Sequence, residues 1–159
     1  MSRKIVRART RSTRCVTLAA LACVAGAWWI APVVAEAPVD RYMINSSQGL
    51  VTDLRTGLIW QHPANTTAYA WAQANTYCKG LTIGLMTGFR VPTLKELMTL
   101  VDPMRAQPAI DTKIFPNTPP EFFWTASNRF SLGTAAVSFG TGGSAYFAAT
   151  DALRVRCVR

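Results

Sequence analysis

The sequence predicts an α+β domain. Three observations predict it. Short strand-like runs stand at both ends of the region from residue 41 onward, two segments with helical apolar spacing lie between them, and a proline-rich stretch separates the second helix from the last strands. Residues 41–44 read as a strand, 45–48 as a turn and 50–52 as a second strand. Asp53 to Gly57 is a hairpin connection: Asp accepts local backbone hydrogen bonds and Gly supplies a positive φ. That position gives Asp53 a structural role rather than a metal-binding one. Residues 58–60 are the return strand.

Thr66 or Thr67 can cap a first helix running to about Lys79, with Gly80 as its stop. Ala70, Trp71, Ala74, Tyr77 and Cys78 recur at spacings of three and four and form one apolar face, a core surface rather than a ligand box. Thr93 and Glu96 make a capping box at the start of a second helix, which engages Glu96 structurally. Leu94, Leu97, Met98 and Val101 form its stripe, and Pro103 is the expected end. Residues 103–120 hold five prolines and read as an irregular surface connection. Four strand-like pieces follow at 122–125, 135–139, 144–147 and 153–158, with a hairpin loop at 140–143. Alternation in the last piece turns Leu153, Val155 and Cys157 inward and Arg154 and Arg156 outward.

The 17 Lys+Arg against 8 Asp+Glu give a net charge of +9, which would suit nucleic acid or an anionic surface. The distribution removes that reading. Six of the basic residues lie in the first 14 positions, with no acid among them. From Glu36 onward eleven basic residues face eight acidic ones. The basic leader precedes an uncharged run from residue 15 to 35, and Val33-Val34-Ala35 offers a small-residue exit. Together these form a secretory signal, residues 1–35, cleaved after Ala35. Cleavage after Ala37 would place Pro38 directly after the cut, which disfavours it. An uncleaved anchor is the alternative, since the run is long enough to span a bilayer, and it is the one route to a membrane. Cys23 follows a poor match to a lipoprotein box. Either way the remainder is exported, to the periplasm, cell surface or medium. Residues 36–40 form a short tether and 41–159 one domain.

Of four cysteines, Cys78 and Cys157 remain after cleavage. An even number in an oxidising compartment favours a disulfide between them, with two buried thiols as the alternative. Two cysteines and the single histidine, His62, cannot supply a four-ligand zinc site. No cofactor is expected. His62, before Pro63 in a turn, reads as a plain surface residue.

The order of motifs carries a family resemblance. Thr52-Asp53-Leu54-Arg55-Thr56-Gly57-Leu58-Ile59-Trp60-Gln61 precedes Trp71-Ala72-Gln73-Ala74 and Tyr77-Cys78. Then come Gly88-Phe89-Arg90-Val91-Pro92-Thr93-Leu94-Lys95-Glu96-Leu97, Leu100-Val101-Asp102 and Pro108-Ala109-Ile110-Asp111. Phe115-Pro116-Asn117-Thr118, Phe123-Trp124-Thr125-Ala126-Ser127 and Val155-Arg156-Cys157-Val158-Arg159 complete the series. From about Arg41 to Arg159 it resembles the bacterial secreted domains named for the C-terminal domain of the Legionella collagen-like adhesin, Lcl. The resemblance implies a C-type-lectin-like fold: two helices, a mixed and mainly antiparallel sheet, a long loop region, and a bond from the first helix to the last strand, where Cys78 and Cys157 stand. Phe89 replaces the usual Trp and Val91 the usual Leu, and the loop at 128–134 is short.

Function divides into three classes. No nucleophile with a base, catalytic carboxylate pair or phosphate loop stands out, so an enzyme is not expected. The calcium-binding triplets of true lectins, Glu-Pro-Asn or Gln-Pro-Asp and Trp-Asn-Asp, are missing. Asp102, Asp111 and Glu121 flank the proline-rich loop and remain the minor calcium option. The leading expectation is an adhesin-like, calcium-independent module that binds an anionic polysaccharide or cell-surface polymer. Its contacts would be Arg154 and Arg156, joined by Arg129, Lys113 and Arg159. A structural or assembly domain of the envelope is the second.

Overall fold

The computed structural model describes residues 41–129 and 131–159. The expected signal segment and tether lie outside the described residues. The element order is β1 (Tyr42–Asn45), β2 (Leu50–Asp53), β3 (Ile59–Gln61), α1 (Trp71–Gly80), α2 (Leu94–Met98), β4 (Phe122–Arg129), β5 (Gly133–Ser138) and β6 (Ser144–Phe147). The α+β class holds. The strands form two three-stranded antiparallel sheets, β1-β2-β3 and β4-β5-β6.

The final segment is not the regular strand expected at 153–158. It is a seam between the sheets. On one side Gln61 N donates to Cys157 O at 3.0 Å and Ile59 N to Arg159 O at 2.9 Å. On the other, Trp124 N donates to Arg154 O at 2.8 Å and Arg154 N to Phe122 O at 3.0 Å. Phe123 and Arg154 form a parallel bridge in an otherwise antiparallel protein.

Two apolar clusters fill the interior. One gathers Val51, Trp60, Leu97, Ile110, Phe115, Phe123 and Val158; the other gathers Leu50, Ala74, Cys78, Phe89, Trp124, Val155 and Cys157. Adjacent residues Leu50 and Val51 of β2 therefore enter different clusters, so both faces of the strand are covered. Each fully buried Val, Leu or Phe contributes about 1.5–3 kcal/mol of transfer free energy. The Cys78–Cys157 disulfide is formed, with Cα atoms 5.4 Å apart, and joins α1 to the seam.

Helix α1 starts later than Thr66 or Thr67 would place it. Tyr69 exchanges backbone hydrogen bonds with Leu153, at 2.8 and 3.0 Å, which holds it extended. Thr67 N instead meets the Asn65 side chain at 2.7 Å, and the cap position falls to Ala70. The predicted inner face holds, with Ala74 and Cys78 buried. Helix α2 ends at Met98, before Pro103, because Val101 leaves to bridge Ile110 and Asp102 N donates to Ala109 O at 3.0 Å.

The capping box of α2 is present. Thr93 Oγ1 accepts from Glu96 N at 3.3 Å and Thr93 N donates to Glu96 Oε2 at 2.8 Å. Glu96 also takes both Arg90 nitrogens at 2.8 and 2.7 Å. Those Arg90 bonds, then the Thr93 contacts, outweigh burial and hold the carboxyl at a pKa of about 2. Because this is below the unfolded value, the contribution to stability is complete above about pH 4.5 and is lost as pH falls toward 2. Thermal melts between about pH 5 and 2.5 should fall less steeply for Glu96→Gln than for the wild type. Equal slopes would remove Glu96 from the account of acid unfolding.

Candidate functional site

The five cationic residues that the sequence offered as one patch stand in different surroundings, with Arg159 exposed at the end of the seam. Arg154 is half-buried and tied to Glu121 by two bonds, 2.7 and 3.1 Å long. Arg129 is exposed at the far end of β4. Six residues of extended chain separate it from Phe123, the bridge partner of Arg154, a span of about 20 Å. Lys113 is exposed in the proline-rich connection, its backbone N on Asp111 Oδ1 at 2.9 Å.

Arg156 overturns the expected outward phase: it is 0% exposed. Its guanidinium donates to Gln61 O at 3.1 Å and Thr118 Oγ1 at 2.6 Å, and lies 4.8 Å from the centre of the Phe115 ring. The physical reason is coverage. Alternation predicts exposure only if one face of a strand is open, and here the disulfide cluster covers one face and the Phe115–Thr118 turn covers the other. Burial alone lowers the Arg156 pKa to about 9, so it stays charged at neutral pH. The signal available in the sequence was the run Val155-Arg156-Cys157-Val158, an arginine embedded among residues that are all buried.

A concave site of about 240 Å³ lies elsewhere, where the entry to β1 meets the turn after α2 and the proline-rich connection. Arg41, Tyr42, Leu100, Val101, Asp102, Met104 and Asp111 line it. Its charged groups are fixed by pairing. Arg41 forks onto the fully buried Asp53 at 2.8 and 3.3 Å and donates to Thr99 O at 2.9 Å. The same Asp53 carboxylate caps its own turn by accepting from Arg55 N at 3.0 Å, which gives it the structural role expected of it.

Asp102 accepts from Arg105 Nε and from Met104 N, each at 2.9 Å, and Arg105 reaches Asp111 at 3.9 Å. Glu121, the third residue of the calcium option, is engaged with Arg154 instead. Tyr42 packs edge-on against Phe115 with Arg41 over its ring at 4.7 Å. Burial, reinforced by Asp53, Asp111 and Asp102 and opposed by Arg41, raises the phenol to about 12. The phenol therefore stays protonated at neutral pH.

The sequence model of the Lcl C-terminal domain matches residues 49–159. The chain belongs to the Lcl C-terminal domain family. No curated protein and no solved structure matches it. The match begins after β1, and β1 pairs residue for residue with β2, from Tyr42↔Asp53 to Asn45↔Leu50. The large aromatic residues of the motifs that carry the resemblance are mainly core residues here, as is Cys157. Trp60, Phe89, Phe123, Trp124 and Cys157 are buried, and Phe89 and Val91, which depart from the usual residues, fill the same cluster as the disulfide. The Lcl motifs thus supply much of the frame and also Leu100, Val101, Asp102 and Asp111 of the pocket wall, while Arg41, Tyr42 and Met104 lie outside the quoted motifs.

His62 also departs from expectation. The ring is half-buried, 6.4 Å from Phe115, and Nδ1 is buried without a hydrogen-bond partner. Among the described residues, no helix is long and apolar enough to cross a membrane.

Proposed function

We propose that this Lcl domain is an exported, non-catalytic binding module of the C-type-lectin-like kind. Its recognition site is the pocket beside Arg41 and Tyr42. The carrying observation is a preformed concavity whose charged side chains are already held by ion pairs, so a ligand meets an ordered site. The bond from α1 to the C-terminal seam and the two-helix order support the fold assignment. The oxidised cysteine pair and the basic-apolar leader support export.

Three carboxylates, Asp53, Asp102 and Asp111, surround Arg41 and Arg105, which disfavours an anion. Acceptors, the Tyr42 donor and the aliphatic wall of Leu100, Val101 and Met104 suit an uncharged, hydroxyl-rich group such as one sugar unit of a glycan. Arg154, held by Glu121, and the buried Arg156 leave the anionic-polysaccharide reading without a joint patch.

A glycan array probed with the full chain tests this. Retention on neutral glycans is expected, unchanged by EDTA, and reduced about tenfold by Tyr42→Phe or Asp111→Asn, in line with one lost hydrogen bond to a charged or buried group. Arg154→Ala should bind as the wild type does. Retention confined to acidic glycans at low salt, and lost on replacing Arg129 or Arg154, would overturn the reading. A second reading, an assembly domain of the envelope, is favoured by edge strand β1, which exposes Met43 and Ile44. Concentration-dependent self-association without glycan retention would select it.

A further inference from the structure

Arg156 is a buried cation that forms no ion pair among the described residues. The acids of the described residues that form ion pairs hold other arginines: Asp53 with Arg41, Glu96 with Arg90, Asp102 and Asp111 with Arg105, and Glu121 with Arg154. What Arg156 has instead is a carbonyl of β3, the hydroxyl of Thr118 and the face of Phe115. Its Nε is buried without a hydrogen-bond partner. The only histidine in the sequence stands against the same Phe115 ring, and its Nδ1 is the second orphaned nitrogen of this corner.

The backbone that carries the imidazole is held in place. His62 N donates to Gly49 O at 2.9 Å, and the backbones touch so closely that a Cβ on Gly49 would lie 2.8 Å from His62 O. The His62 backbone is therefore closely fixed against Gly49 on the side of β2.

We propose that His62 and Arg156 form an acid-sensitive latch holding the proline-rich connection, through Phe115 and Thr118, against β3 and the C-terminal seam. With His62 neutral, the corner carries one positive charge, spread over a carbonyl, a hydroxyl and an aromatic face. With His62 protonated, a second positive charge enters the same partly dehydrated space, where repulsion is much stronger than in water.

The neighbouring elements offer no relief. Gln61 from β3 and Phe115 and Thr118 from the connection are neutral. Arg156 is the charged group among the described residues that acts on His62. Burial first, then Arg156, lowers the pKa of His62. The sign follows: the unfolded or locally opened chain takes up the proton first. Stability of the closed corner is complete above the free histidine value of about 6.5 and is lost as pH falls below it. The weakest contact to yield is the Phe115–Thr118 turn, since the seam is also held by backbone bonds to both sheets.

Because the chain has one histidine, its ring protons titrate as a single NMR signal. In the folded full chain the midpoint should lie below that of free histidine. Amide exchange, corrected for its intrinsic pH dependence, should show protection lost at Ile114 and Phe115, whose amides donate to Asp111 O, between about pH 7 and 5, while Val158 of the seam keeps its protection. His62→Gln, neutral throughout, should keep the protection at Ile114 and Phe115. A midpoint at or above about 6.5, or the same acid-dependent loss in His62→Gln, overturns the latch. If His62→Gln does not fold, the wild-type titration and its exchange profile decide alone.

Discussion

Replacing either Cys78 or Cys157 with serine is expected to destabilise the domain by about 2–5 kcal/mol, the range seen when small secreted domains lose a native bridge. The bridge closes a loop of 79 residues, for which chain-entropy arguments give about 4 kcal/mol. That loop contains α2, the whole proline-rich connection and all of β4, β5 and β6, so the unfolded chain gains freedom along most of the domain. Both sulfurs are also completely buried in the cluster with Ala74, Phe89 and Trp124. Each serine variant would leave one hydroxyl in that apolar space and an unpaired thiol opposite, which adds to the entropic loss. Denaturant unfolding of wild type and both single variants measures the difference. Thiol titration of the denatured, unreduced wild type should find Cys78 and Cys157 unreactive. Variants with wild-type midpoints would sink the claim that the bridge stabilises the fold, and two reactive thiols would show that it does not form.

The disulfide was legible in the sequence because its evidence is local and additive: two cysteines left after the leader, one on the apolar face of a helix pattern, one in an apolar C-terminal run. The hairpin at Asp53, the capping box at Thr93 and the strands around Phe123, Val137 and Tyr146 were legible for the same reason, since period and turn chemistry act over a few residues. The errors share the opposite property. The start of α1 is displaced by the pairing of Tyr69 with Leu153, 84 positions away. The end of α2 is set by Val101 meeting Ile110 across an irregular loop. The side of the seam on which Arg156 lies is decided by Phe115 and Thr118, which no periodicity within 153–158 can report. The pocket was invisible because Arg41 and Asp111 come together only after the chain has completed β1, β2, β3, α1 and α2. Sequence pattern thus disclosed the frame of the domain and not its cavity.

Arg156→Ala should cost about 3 kcal/mol, close to the loss for a large core side chain, although the residue is an arginine near the C-terminal end of the sequence. Two hydrogen bonds from a charged donor are removed, each worth about 1.5–3 kcal/mol. A dehydrated cation–π contact with Phe115 worth about 2 kcal/mol goes with them. The void left between the seam and the Phe115–Thr118 turn adds to the loss. Against these stands the desolvation of an unpaired guanidinium, which the substitution relieves. That opposing effect brings the sum down to the range of an apolar truncation. It also predicts an order among variants. Arg156→Met keeps most of the stem volume against Phe115 and removes the buried charge, so it should lose about 1 kcal/mol or less. Arg154→Ala breaks a pair whose Glu121 side is half-exposed. Solvent screening there leaves an expected change of about 0–1 kcal/mol. Urea unfolding of the three variants beside the wild type gives the comparison. The order Ala far below Met at position 156, with Arg154→Ala near the wild type, is the result that follows from a cation used as a core residue. Equal and small losses at positions 154 and 156 would instead mean that Arg156 reaches solvent, and would restore the arginine face that the buried geometry removes.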